Sequence, residues 1–249
     1  MTMPIVCNEL LGRELLKIYQ DTDYFNFSID SMLLASFPKM TKRIKRVCDL
    51  CSGNAPIPLY LSLRFDGEII GVEIQKHSYD LANMSIDENK LNDRIKMINA
   101  NLIGISNEIG IHSFDLVTCN PPFFKVGNNN INPLDSKAIA RHEIMASLDD
   151  IVKEASLLLN NCGHLVMVHR PDRLVDIFCA MRKEKIEPKL IKFVYPNKNK
   201  KTNLVLIKGI KNGNPFLQYE NNLFVYNDDG SYTDEILKIY NKNERSNNL

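Results

Sequence analysis

Phe114-Asp115-Leu116-Val117-Thr118-Cys119-Asn120-Pro121-Pro122-Phe123 is a short apolar run that stops on two prolines. Its first six residues have the character of a buried strand. Pro121 and Pro122 remove two backbone donors and stiffen the chain, and Pro121 keeps Asn120 out of the helical region. The result is a rigid ledge that presents an amide oxygen, a free backbone carbonyl and an aromatic face. Such a set suits a planar group carrying an NH2. Two acceptors draw both hydrogens to one side, Phe123 stacks on the face, and the nitrogen lone pair is left turned toward an electrophile. That is the requirement for methylating an exocyclic amine.

Outward from this strand, the chain alternates strand and helix patterns from Arg46 to about Ile210. Val47–Leu50, Glu68–Ile74, Ile95–Ile98, Phe114–Cys119 and Gly163–His169 read as strands. Between them lie helical patterns at Pro58–Arg64, His77–Asn92 (apolar stripe Leu81, Met84, Leu91) and Leu148–Asn160. Ser147 caps the last of these, with Asp149 and Asp150 in its first turn. Another helix spans Arg173–Lys185, and Leu190–Tyr195 and Leu204–Ile210 form the last strands. Repeated strand–helix units imply an α/β, doubly wound, parallel sheet with helices on both faces. The last two strands leave no room for a helix between them and so predict an antiparallel hairpin. Residues 125–137, with Gly127-Asn128-Asn129-Asn130, carry no periodicity and read as a lid loop.

Composition narrows the class. At 249 residues, 44% hydrophobic and 24% charged, the chain has the make-up of a soluble globular protein. No run approaches the roughly 18 apolar residues of a membrane span. Residues 1–7 lack the basic start and apolar core of a signal peptide. The six cysteines are scattered, and Cys48-Asp49-Leu50-Cys51 has neither a second CxxC nor a histidine cluster beside it. These features predict free thiols, a cytoplasmic location and no metal. The net charge of +1 gives no nucleic-acid signal by itself, but two stretches are basic. One is Lys39, Lys42, Arg43, Lys45 and Arg46; the other runs from Arg182 through Lys201. Either solvated surface or phosphate contact accounts for them.

Ligands of open α/β sheets bind outside the carboxyl ends of the strands. Three features converge there. Asp49-Leu50-Cys51-Ser52-Gly53-Asn54-Ala55 runs from strand through a tight turn into a helix. Glu73 ends the second strand, 24 residues after Asp49, where a carboxylate accepts bonds from ribose hydroxyls. Asn120 ends the fourth.

Together these motifs resemble the class I S-adenosylmethionine-dependent methyltransferases that act on exocyclic amines. Phe27-Ser28-Ile29-Asp30-Ser31-Met32-Leu33-Leu34-Ala35, Ala140-Arg141-His142-Glu143 and the Val168-His169-Arg170 strand end narrow the resemblance further. They are similar to the bacterial family that methylates N6 of an adenine beside the anticodon of valine tRNA, over residues 10–240 or so. The resemblance implies a Rossmann-like, seven-stranded, mostly parallel sheet with a C-terminal antiparallel hairpin. It also implies one methyltransferase domain over residues 1–249, with 1–45 an extension over the cofactor and target pocket. S-adenosylmethionine would be the cofactor and tRNA the partner.

By the same resemblance, Asp49, Ser52, Gly53 and Asn54 hold the methionine part of the cofactor, Glu73 its ribose, and Ile74 packs on its adenine. Asn101 stands where the family usually has an aspartate for the adenine amine. Asn120, Pro121, Pro122 and Phe123 form the catalytic ledge, and Phe27, Phe123 and Phe124 line the substrate side, with Ser28 and Asp30 beside them. His142 and Glu143 order the following loop, and His164 and His169 are structural. Cys51 and Ala55 occupy positions where the family pattern has glycines. Two other readings use a similar ledge: glutamine N5 methylation of a release factor, and guanine N2 methylation of rRNA. The first group carries a large N-terminal helical domain and usually a tyrosine on the ledge, and the second commonly a duplicated domain.

Overall fold

A computed structural model describes residues 5–10, 13–21, 29–122 and 146–241. At its centre is a parallel sheet built from β3 (Arg46–Leu50), β4 (Glu68–Glu73), β5 (Ile95–Asn99), β6 (Phe114–Cys119) and β7 (Leu159–His169). β8 (Ile186–Tyr195) and β9 (Leu204–Lys211) complete it as the expected hairpin. The spatial order is β5-β4-β3-β6-β7-β9-β8, and β9 alone among these seven runs against the rest. The seven-stranded count needs extending. β10 (Gln218–Tyr219) and β11 (Leu223–Phe224) pair in parallel with the outer edge of β8, making nine strands. Two-residue strands have no periodicity to read.

Alternate residues of the strands enter two separate cores, as the period of a pleated strand requires. Val47, Val166 and Val168 face one core with α1 (Ile29–Ser36), α2 (Pro56–Ser62) and α3 (Lys76–Glu88). Cys48, Leu50, Leu165 and Met167 face the other, covered by α5 (Leu148–Leu158) and α6 (Leu174–Lys183) after the short α4 (Ser106–Ile109). Burial on both faces explains why these strands read as unbroken apolar runs. The α5 cap is a full capping box between Ser147 and Asp150. In α3 the buried stripe is Leu81, Ala82, Ser85 and Ile86, whereas Met84 is 39% exposed. That helix stops before Asn89 because Lys90 turns left-handed, at φ 56°.

Preceding α1 is a two-stranded antiparallel hairpin, β1 (Ile5–Leu10) and β2 (Arg13–Asp21), that the sequence pattern does not announce. Beyond the pairing of its two strands, backbone groups of Lys17 and Tyr19 are satisfied by side chains of α3 and the residue that ends it. Asn89 accepts from Lys17 N–H at 2.9 Å and donates to Lys17 C=O at 2.7 Å, and Ser85 Oγ accepts from Tyr19 N–H at 2.9 Å. Asp21 meets His77 at 3.0 Å and Asn54 donates to Tyr19 C=O at 2.8 Å, so the hairpin reaches the carboxyl end of β3. A final helix, α7 (Asp234–Asn241), packs Ile236 and Tyr240 on the first core. Among the described residues no helix is long and apolar enough to cross a membrane.

One buried carboxylate organises the loop after β5. Glu154, 5% exposed, accepts from Gly104 N–H at 2.9 Å and Ser106 N–H at 3.2 Å. Glu154→Ala should strand both donors and lower stability by about 2–3 kcal/mol in urea titration.

Candidate active site

The loop leaving β3 takes its shape from three left-handed residues in five: Cys51 (φ 57°), Gly53 (φ 56°) and Ala55 (φ 67°). A side chain costs roughly 1–2 kcal/mol in that region, so Cys51 and Ala55 are held there by their surroundings. Ser52 N–H bonds Val72 C=O at 3.0 Å, Ala55 N–H bonds Ser52 C=O at 3.0 Å, and Ala55 leads into Pro56 at the first turn of α2. At Gly53 an added Cβ would meet no atom within 4 Å, so its α-carbon faces open space.

Glu73, only 7% exposed at the end of β4, clamps this loop. One carboxylate oxygen accepts from Gly53 N–H at 2.8 Å and the other from Gln75 N–H at 2.7 Å. Its four lone-pair sites are not exhausted by these bonds. Burial pushes this carboxyl above its usual value, while the N–H groups of Gln75, Gly53 and Ile74 pull the other way.

Asp49 is fully buried beside it. Thr118 Oγ, on β6, donates to Asp49 Oδ1 at 2.6 Å. The Ser52 hydroxyl lies near enough to favour the carboxylate but falls short of hydrogen-bond geometry. Asp49 Oδ2 and Ser52 Oγ are therefore buried polar atoms with no hydrogen-bond partner among the described residues. Burial pushes Asp49 up to about 7, Thr118 and Ser52 oppose that shift, and the neighbouring Glu73 adds to it. No ion pair among the described residues offsets either carboxylate.

Asn120 follows β6, whose register sets Leu50 opposite Cys119, so the ledge adjoins the β3 loop. Asn120 Nδ2 donates to Ser31 Oγ on α1 at 3.4 Å, which turns Oδ1 the other way. Pro121 is buried and Pro122 exposed. Ile74 is half-buried immediately after Glu73, and Asn99 fastens the ends of β4 and β5 by donating to Glu73 C=O (2.9 Å) and Ile74 C=O (3.0 Å). Asn101 is exposed, and its side-chain oxygen accepts from Ile103 N–H at 2.9 Å. The Asn54 side chain is spent on the hairpin carbonyl of Tyr19. Phe27, Ser28, Phe123, Phe124, the 125–137 loop, His142 and Glu143 lie outside the described residues.

His169, at the end of β7, is held down to about 4 by burial and by Arg173, so it is neutral at pH 7. Cys48 and Cys119 are buried thiols raised by desolvation, which suppresses the nucleophilic thiolate. Thr118 and Asn99 have no sequence signature of their own. They are found only once β3, β4, β5 and β6 are set side by side.

The Rossmann-like sheet, with Asp49 and Glu73 toward the carboxyl ends of β3 and β4 and Asn120-Pro121-Pro122 after β6, is the fold of the class I methyltransferases. The family described as the methyltransferase small domain matches residues 28–181, and the chain belongs to it. Among curated relatives, a tRNA1(Val) (adenine(37)-N6)-methyltransferase of Porphyromonas gingivalis is 33% identical over 132 residues. That match covers 52% of this chain and 51% of the relative, so the chain spans about half the length of that protein. A protein of the same name from Cytophaga hutchinsonii is 22% identical over 223 residues, covering 89% and 92%. In solved structures, a predicted O-methyltransferase of Agrobacterium tumefaciens superposes with a TM-score of 0.70 at 20% identity, over 86% of this chain and 96% of that one. A 16S rRNA guanine-N2 methyltransferase of T. thermophilus, in complex with AdoMet and guanosine, gives 0.56 at 17% identity, over 85% and 51%. At these identities the superpositions establish the fold alone.

Two predictions concern the loop and its carboxylate. Ala55→Gly relieves left-handed strain of roughly 1–2 kcal/mol, but it loosens the unfolded chain by roughly 0.4–1 kcal/mol and removes a fully buried methyl worth about 0.8 kcal/mol, so stability should move by less than about 0.5 kcal/mol, whereas Gly53→Ala should cost about 1 kcal/mol. Denaturant titration of both variants checks the contrast. For Asp49 the folded pKa, about 7, lies above the ordinary 3.8. Its contribution to stability is therefore fully present below pH 3.8 and lost as pH rises through about 7. Asp49→Asn, which removes the buried charge, should raise the melting temperature more at about pH 8.5 than at about pH 5.5, by on the order of 2 kcal/mol in stability. A pH-independent gain would contradict this.

Proposed function

We propose that this chain transfers a methyl group from S-adenosylmethionine to N6 of an adenine in tRNA, beside the anticodon of valine tRNA, in the cytoplasm. The observation that carries the reading is the Asn120-Pro121-Pro122 ledge adjoining the β3 loop, beside two buried carboxylates that no ion pair among the described residues offsets. The names of the P. gingivalis and C. hutchinsonii relatives support the substrate.

The residues present fit the cofactor. Asp49 Oδ2 and Ser52 Oγ, buried without hydrogen-bond partners among the described residues, suit the ammonium and carboxylate end of an amino acid. Gly53 offers an open backbone approach, and Glu73 keeps lone-pair capacity for ribose hydroxyls. Ile74 supplies an apolar wall for the adenine, Asn101 a carboxamide at its edge, and Asn54 acts through its backbone and its hold on the hairpin. When bound, S-adenosylmethionine supplies an electrophilic methyl on a cationic sulfur. Asn120 Oδ1 and the carbonyl of Pro121 accept the two N6 hydrogens, which aims the nitrogen lone pair away from the ledge. Ser31 holds the other end of the Asn120 amide. Phe123 stacks on the target base, and Phe27 and Phe124 line the substrate side. Catalysis is then positioning and electrostatics, with no side-chain base required. The adenine must leave its stack to reach the ledge, and a single-stranded anticodon loop lowers that cost.

Labelled methyl transfer to unmodified tRNA, followed by nucleoside analysis, tests the reading. N6-methyladenosine in valine tRNA is the expected product. Transfer to a release-factor glutamine or to guanine N2, with none to adenine, would overturn it. Asn120→Ala should cut transfer by about 10²–10³-fold, the scale of losing a positioned hydrogen-bonding group at the reacting centre. Its affinity for S-adenosylmethionine, read by calorimetry, should stay within about twofold.

A further inference from the structure

Building on the RNA reading above, we infer that the β8–β9 turn and the groove beside it grip the RNA strand carrying the target adenine, and that the basic run before β3 does not. The sheet separates the β8–β9 turn from the run Lys42–Lys45, whereas Lys39 and Leu190 line one groove with Lys208. β8 lies parallel to β6 and β7 and ends at the same end of the sheet as Asn120, and β9 starts there, with His169 opposite Val205 and Val194 opposite Leu204. Three inter-strand steps of about 4.8 Å put the turn roughly 14 Å from the ledge. The run from Lys42 to Lys45 instead enters β3 at its start. The five residues of β3, at about 3.3 Å each, hold that run roughly 16 Å below the loop, at the opposite end of the sheet.

Ion pairing sorts the second stretch further. Arg182 meets Glu187 at 2.7 Å, Lys183 meets Asp149 at 3.6 Å, and Lys192 meets Glu235 at 2.7 Å and Glu220 at 3.5 Å. Lys189 donates to the carbonyls of Asn214, Pro215 and Phe216. By contrast, Lys198, Lys200 and Lys201 are exposed, and no ion pair among the described residues engages them. Three unpaired ammonium groups on one turn make a phosphate surface.

The adjoining groove has a volume of about 490 Å³, and Arg170, Tyr195, Lys201 and Asn203 line it. Its carboxylate, Asp172, is already bound by Arg170 at 2.5 Å, so Lys201 sets the charge that an incoming group meets. Asp228 sits behind the turn, against Asn199 at 3.5 Å. Tyr195 is fixed by packing on Phe224, ring centroids 5.4 Å apart. A cation beside a fixed aromatic ring is the pairing that a nucleotide, phosphate plus planar base, requires. A rival groove of about 540 Å³ lies near the first basic run, lined by Lys39, Lys208, Tyr219 and Glu220.

The test uses the full chain and unmodified tRNA, with affinity measured by fluorescence anisotropy across a salt series. Three proteins are compared: wild type, Lys198→Gln/Lys200→Gln/Lys201→Gln, and Lys42→Gln/Arg43→Gln/Lys45→Gln. The turn variant should bind about tenfold more weakly, with a log K against log salt slope shallower by about 2, at roughly 0.7 for each phosphate no longer neutralised. Its melting temperature and S-adenosylmethionine affinity should be unchanged, and the variant before β3 should stay within about twofold of wild type. Equal or greater weakening by the variant before β3 would overturn the assignment. No tRNA binding by the wild type would overturn the RNA reading instead.

Discussion

The β3 loop depends on two buried carboxylates at neighbouring strand ends that no ion pair among the described residues offsets. Asp49 and Glu73 are 0% and 7% exposed, and the charge of Glu73 adds to the cost of ionising Asp49. The chain meets that cost with donors fixed to the sheet. Thr118 serves Asp49 from β6, and the backbone N–H groups of Gly53 and Gln75 serve Glu73. These bonds also tie β3 to its neighbours, so the arrangement of the two carboxylates is part of what registers the sheet. A ligand bearing an ammonium and a ribose would complete both groups.

Strain and anchoring follow from this constraint. The β3 loop needs left-handed backbone at Cys51, Gly53 and Ala55 to bring Gly53 N–H onto Glu73, and two of those residues carry side chains. Asn54, between them, is pinned to the N-terminal hairpin. The hairpin is in turn fastened to α3 and its end through Ser85 and Asn89. The extension before α1 thereby supports the loop from outside the sheet, and loosening the hairpin would reach the cleft through Asn54.

Much of this was legible in the sequence because the central strands are buried on both faces. Runs such as Val47–Leu50 and Phe114–Cys119 are largely apolar, and the spacing of Asp49, Glu73 and Asn120 fits strand ends of a parallel sheet. The β1–β2 hairpin was not legible, since its inward alternation is confined to Leu16, Ile18 and Gln20 and its side-chain partners, Ser85 and Asn89, lie far along the chain. Nor were β10 and β11, each two residues long. Asn54 offers the same chemistry to a cofactor and to Tyr19, and only the fold decides between them. The same holds for the lysines: Lys192 and Lys198 look alike in sequence, but Glu220 and Glu235 reach only the first.

The most direct measurement is a carbon-detected NMR titration of the Asp49 carboxyl, alone and with S-adenosylmethionine bound. The free protein should titrate near 7, and binding should draw the midpoint down to or below the ordinary value of 3.8 as the ligand's cation completes the site. A midpoint near 7 that binding leaves unmoved would show that Asp49 does not meet the cofactor, and the account of the cleft would fail.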